Sequence, residues 1–151
     1  FSKWQYSAGA VIALFHDTII TLGVFSALHG ILPFSMEVDQ AFIAAILTVI
    51  GYSINDTVVV LDRIREMMGI YVKRSRHEVI NKAINNTLSR TTLTSLTTLF
   101  VVIVLFLFGG SSIKGFSFAI LFGITIGTYS SIFIASPLMS DFLKKDTVNK
   151  D

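Results

Sequence analysis

The chain has 151 residues, 52% of them hydrophobic and 15% charged, with a mean hydropathy of +0.70, a net charge of +2 and a pI near 9.0. A soluble domain carries about a quarter charged residues; here charge is nearly absent from four blocks and gathered between them, which excludes a soluble nucleic-acid binder and points to a multi-pass membrane protein. Zero cysteines exclude disulfides and thiol-based metal or redox chemistry.

The first predicted span covers 6–28 and is interrupted only by His16 and Asp17. Asp17 falls near its centre, one turn from Thr21. Adjacent helical residues point about 100° apart, so His16 and Asp17 are not expected to face one partner together. Asp17 fits two roles equally well, a step in a proton path or a hydrogen-bonded packing residue.

The second span, 41–61, contains Asn55 and Asp56. An ionisable group inside a bilayer is costly and is a functional-site candidate by default. Asp56 lies about 9 Å inside the boundary set by Asp62, at 1.5 Å per residue. Thr48 and Tyr52, at four-residue spacing, place a polar stripe leading to it. Desolvation favours the protonated form of such a group and a nearby cation favours the charged form, so Asp56 is suited to take up and release protons. A purely structural, hydrogen-bonded Asp is the weaker reading, because a neutral Asn would do that work more cheaply.

The charged segment 62–90 follows. Ser75-Arg-His-Glu78 has capping-box spacing, and Val79, Ile80, Ala83, Ile84, Thr87 and Leu88 form a stripe at helical spacing. A short amphipathic helix lying at the interface is expected here, with a docking surface for a partner as the second possibility. Arg90 opens the third span, 91–108, and fits two roles, a flanking cation that snorkels to the interface or a side chain turned inward along Thr91, Thr94 and Thr98, a hydroxyl-rich face suited to hydration. The fourth span, 115–139, carries a small-residue row, Ala119, Gly123, Gly127, Ser131 and Ala135, with Gly123 and Gly127 at its narrowest point. Such a row admits another backbone closely and is read as helix packing. Each span is near the roughly 20 residues that cross a bilayer as a helix, and none shows the two-residue alternation of a barrel strand. The fold class is all-α, a polytopic bundle of four spanning helices.

Of the 12 Lys and Arg residues, only Lys114 falls in the connection between the third and fourth spans. The rest lie before the first span, in 62–90 or after the fourth, so the positive-inside rule puts both ends of the chain and 62–90 in the cytoplasm. Two membrane aspartates invite comparison with an intramembrane aspartyl protease. The Tyr-Asp and Gly-x-Gly-Asp contexts of that class are missing, and Asp17 is expected deeper than Asp56. No phosphate-binding glycine loop, metal-spaced His cluster or nucleophile elbow appears. No catalytic residue, metal or cofactor is therefore expected. The chain opens on Phe1 with no signal peptide before its first span, and is expected to be a piece of a longer polypeptide.

Four segments carry a resemblance: Ala10 to Asp17 with Thr21 to Ser26; Ala45 to Glu66; Leu88 to Ser95; and Leu107 to Gly110 with Lys114 to Ser117 and Gly127 to Ser131. In this order they resemble the SecF branch of the SecD/SecF protein-export family, in the resistance–nodulation–division superfamily, with Gly51 to Glu66 the most specific run. The resemblance implies the last four helices of a six-helix half, in the bacterial inner membrane and among its lipids, with a periplasmic domain upstream that touches the exported polypeptide. It implies a proton-driven accessory role beside the Sec translocon channel and SecD, separate or fused. Asp56 matches the carboxylate of the family's Asn-Asp motif and Arg90 the basic residue opening the next helix, both implicated in proton conduction; Asp17 is a third candidate for that pathway. Leu32-Pro-Phe-Ser35 departs from the pattern as a loop extension expected to matter little. The alternative is a transporter half of the same superfamily exporting lipid or small molecules.

Overall fold

A computed structural model describes residues 4–148, and every regular element in it is helical. Helix α1 is Trp4–Leu28, α2 is Gln40–Ile70 and α3 is Arg76–Phe108. After a 3-10 turn at Ser111–Ile113 come α4, Lys114–Ser130, a π-helical segment, Ser131–Ala135, and α5, Ser136–Val148. Four stretches are long and apolar enough to cross a membrane: α1, α2, α3 and the composite Ser111–Leu143. The all-α bundle anticipated from composition is what forms.

Two boundaries differ from the expectation, for one physical reason. Helix α2 runs on to Ile70, and α3 begins at Arg76 and continues unbroken through Arg90 into its apolar half. There is no separate helix lying at the interface. At 1.5 Å per residue α2 and α3 are about 46 and 50 Å long, against a hydrocarbon layer of about 30 Å, so they project as a helical hairpin beyond the same end. The apolar stripe of 79–84 finds its cover inside the protein: Val79, Ile80 and Ala83 are buried in one cluster with Leu61, Ile64, Met67 and Met139. No proline interrupts 76–108. Ser75 caps α3 by accepting from the backbone N–H of Glu78 at 3.4 Å. Tyr71 closes the turn, with Lys82 Nζ donating to its hydroxyl at 3.1 Å and lying 4.5 Å from its ring centre. That bond and the lysine charge hold the phenol below its usual range.

At the opposite end, Asp39 caps α2 by accepting from the N–H of Phe42 at 2.8 Å. The extension Leu32-Pro-Phe-Ser35 matters more than expected. Phe34 meets Phe106 edge-on at 5.6 Å and Phe118 at 5.7 Å, and Met36 is buried. The Ser35 carbonyl lies where a side chain on Gly115 would be. Gly110, at φ 78°, turns the chain out of α3 in a conformation that favours glycine.

These contacts divide the interior into layers. One apolar cluster sits at the hairpin end and includes Tyr6, Val60, Leu61 and Met139. Another sits at the far end and includes Phe25, Phe42, Val102 and Ile124. Between them lies a polar layer of buried Asp17, Ser53, Asp56, Thr91, Ser95, Ser130 and Ser131.

The small-residue row is buried along its length and packs chiefly on α2. A Cβ on Gly123 would collide with the side chain of Val49, and one on Gly127 would stand 3.2 Å from Cβ of Ser53. The row ends in the π segment, whose cause is local. Pro137 has no N–H to give to the preceding turn and its ring crowds the carbonyl four residues back. Ser136 Oγ instead donates to the Ser131 carbonyl at 3.1 Å.

Candidate functional site

Asp56 reaches the polar layer because α2 packs its Val49, Ser53, Asp56 and Val60 face inward. The residue is 6% exposed, and its carboxylate accepts one hydrogen bond, from Ser131 Oγ at 3.1 Å. From α3, Arg90 and the hydroxyl of Thr91 also act on it. The Thr91 hydroxyl is buried beside Asp56 but outside hydrogen-bond geometry, so its influence is that of a nearby dipole. Arg90 forms no ion pair with Asp56; it is exposed and lines a cleft of about 350 Å³ between α2 and α3 together with Val59, Asp62, Arg63, Glu66, Asn86 and Thr87. A carboxylate with one neutral donor, one cation in range and a polar cleft beside that cation is equipped to exchange protons. No metal-binding cluster of His, Asp and Glu exists among the described residues.

Asp17 stands at the other side of α4. Its Oδ2 accepts from Ser53 Oγ at 2.5 Å and Ser130 Oγ at 2.6 Å, and its Oδ1 meets His16 Nδ1 at 3.0 Å. His16 and Asp17 do not share a partner on another helix: they bond each other, and only Asp17 reaches Ser53 and Ser130, while the His16 side chain is 30% exposed. Thr21 Oγ donates to the backbone carbonyl of Asp17, not to its carboxylate.

The two aspartates are held by consecutive serines, Ser130 and Ser131, and Asp17 also bonds Ser53, three residues before Asp56 on α2. Asp56 therefore lies nearer the hairpin end than Asp17, the order expected, by only a few ångströms at about 1.5 Å per residue. Each carboxylate has its own hydroxyl, and no hydrogen bond joins the two, so they do not form a proton-sharing dyad.

The polar stripe along α2 is redirected. Thr48 is exposed and donates to the carbonyl of Ala44. Tyr52 OH turns across to Ser95 Oγ at 3.1 Å, and Ser95 is 2.6 Å from Thr128 Oγ1. On α3 only Thr91 of the three threonines is buried; Thr94 and Thr98 bond carbonyls of their own helix. Sequence reasoning missed Ser53, Ser95, Thr128 and Ser130 as polar partners and placed Ser131 only in the packing row. The one available signal was the serine pair at 130–131 inside an apolar block.

The profile of the family described as "Protein export membrane protein SecD/SecF, C-terminal" matches residues 1–145. A protein translocase subunit SecF of Rhodothermus marinus is 64% identical over 137 residues, 91% of this chain and 44% of the relative. One of Vibrio alginolyticus is 56% identical over 136 residues, 90% of this chain and 41% of the relative. The chain therefore spans less than half the length of these relatives. A crystal structure of SecDF in a super-membrane-facing form superposes with a TM-score of 0.87 at 41% identity, covering 97% of this chain and 19% of that one. SecDF of Thermus thermophilus, described as a translocon-associated membrane protein, gives 0.82 at 43% identity, covering 94% and 19%.

Proposed function

This chain belongs to the SecD/SecF protein-export family, and we propose that it is the membrane part of an accessory subunit that uses the proton-motive force to promote export of polypeptides by the Sec machinery. The observation that carries this reading is Asp56: a carboxylate buried in a spanning helix, held by a single neutral hydroxyl, with Arg90 in electrostatic range beside a polar cleft. Both residues fall in the segments that match the family. No covalent bond is made. Protons reaching Asp56 change its charge, and the helices around it rearrange. One proton crossing 100 mV yields about 2.3 kcal/mol, enough to bias a two-state arrangement about fiftyfold.

The partners follow from the same reading: SecD, as a subunit or a fused half, the Sec translocon channel, and the exported polypeptide through a domain outside this chain. The charge distribution supports a bacterial inner-membrane location with both ends and the α2–α3 hairpin in the cytoplasm. Export of lipid or small molecules is not favoured, because the relatives are protein translocase subunits.

The test uses full-length protein in membrane vesicles with an imposed proton gradient. Asp56→Asn keeps shape and hydrogen bonding but cannot titrate. Normal assembly with export reduced to its gradient-free level is expected; undiminished gradient-driven export would refute the assignment of Asp56.

A further inference from the structure

Two carboxylates are buried in one layer, and their surroundings differ in kind. Asp17 is 1% exposed and saturated: its Oδ2 takes hydroxyl donors from two other helices at 2.5 and 2.6 Å. Both are at the short end of the O–H···O range. They tie α1, α2 and α4 together at a single oxygen, and in a low-dielectric interior such a knot is costly to undo. Asp56 has one donor, Ser131, at 3.1 Å, and that hydroxyl has a nearer acceptor, the Thr128 carbonyl at 2.9 Å; Ser130 has a backbone acceptor too, the Gly127 carbonyl at 3.2 Å, but lies nearer Asp17. With one hydrogen and two acceptors, Ser131 favours Asp56 while the carboxylate is charged and returns to Thr128 once it is protonated.

The two contacts are made by consecutive residues at the junction where α4 passes into the π segment. When Ser131 is released on the Asp56 side, Ser130 remains held on the Asp17 side. The backbone just beyond is not locked into a regular ladder, because Pro137 offers no N–H and Ser136 bonds the Ser131 carbonyl instead. The motion left to α4 is a turn about the held point. Charged or titratable groups near the two sites are Arg90 from α3 at Asp56 and His16 at Asp17; α4 presents only hydroxyls to them.

We propose that Asp17 and Ser130 are positioning residues that form a fixed pivot for α4, so that a change of protonation at Asp56 turns the π segment and does mechanical work. This rests on Asp56 as the proton-carrying group, and it takes Asp17 out of the proton path itself.

Full-length variants in vesicles containing their partner subunit and the translocon separate the two ideas, with proton flux and export recorded in the same sample. Asp17→Asn and Ser130→Ala are expected to keep proton flux within about twofold while export per proton falls by about tenfold or more. A merely structural role would lower flux and export together. If Asp17→Asn does not assemble, Ser130→Ala decides alone, since alanine is the most favourable helix residue and Asp17 keeps Ser53. An unchanged ratio of export to flux in Ser130→Ala, or a parallel fall of both, overturns the pivot. Asp56→Asn is the control: it should abolish both readings, and if flux persists in that variant, the proton assignment and the pivot fall together.

Discussion

Asp56 and Asp17 show how environment divides chemically identical side chains. One has two short donors from two helices, the other a single longer one that lies nearer a backbone carbonyl than the carboxylate. Arg90 belongs to the second environment without being bonded to it, so its effect is electrostatic. Arg90→Ala is expected to lower gradient-driven export by about tenfold, equivalent to about 1.4 kcal/mol. Arg90→Lys should restore part of it, because the charge is kept while the reach and geometry change. Initial export rates in vesicles at matched protein levels measure this. Equal rates for Arg90→Ala and the parent would reduce Arg90 to a flanking charge. Asp56 was legible in the sequence because a lone carboxylate in an apolar run stands out. Its partner Ser131, 75 residues away, was not, because serine disturbs neither hydropathy nor helical periodicity.

Among the elements, α4 is set by what it lacks. Two glycines let it approach α2, but they do not meet equal obstacles. At Gly123 a methyl would run into Val49, a β-branched side chain with little rotamer freedom. At Gly127 it would meet Ser53 at 3.2 Å, tight but near ordinary contact. Gly123→Ala is therefore expected to cost more than Gly127→Ala, about 1–3 kcal/mol against less than about 1. Thermal melting of the detergent-solubilised full-length protein would rank them; the reverse order would mean that α2 yields at Val49. Gly127→Leu should block assembly outright. Pull-down of the partner subunit checks this, and undiminished recovery would place the row against lipid. The row was readable from its spacing, but its π ending was not.

For the molecule as a whole, orientation rests on charge and depth rests on helix length. Single cysteines at Glu37 and Ser112 are expected to react with a membrane-impermeant reagent from the periplasmic side. One at Ser75 is expected to react only from the cytoplasmic side, at the tip of the α2–α3 hairpin. Because α2 and α3 exceed the hydrocarbon layer of about 30 Å by about 15–20 Å, the Ser75 thiol should label fast, as a group standing outside the apolar layer. Periplasmic labelling at Ser75 would invert the topology, and slow labelling would lay the hairpin back on the membrane.

The sequence alone determined the all-helical class and the four apolar stretches, because length and hydropathy are properties of each segment by itself. It also exposed the family signature in Gly51 to Glu66 and singled out Asp56 as a carboxylate in an apolar run, Arg90 as the cation opening the third span, and the small-residue row by its four-residue spacing. Only the tertiary structure decided which surfaces meet. It merged the segment after Ser75 with α3, because the extended end of α2 offered its apolar stripe a closer cover than the membrane interface. It also brought Asp17 to Ser130, 113 residues away, because a hydroxyl inside a helix carries no mark of the partner it will find until the helices pack.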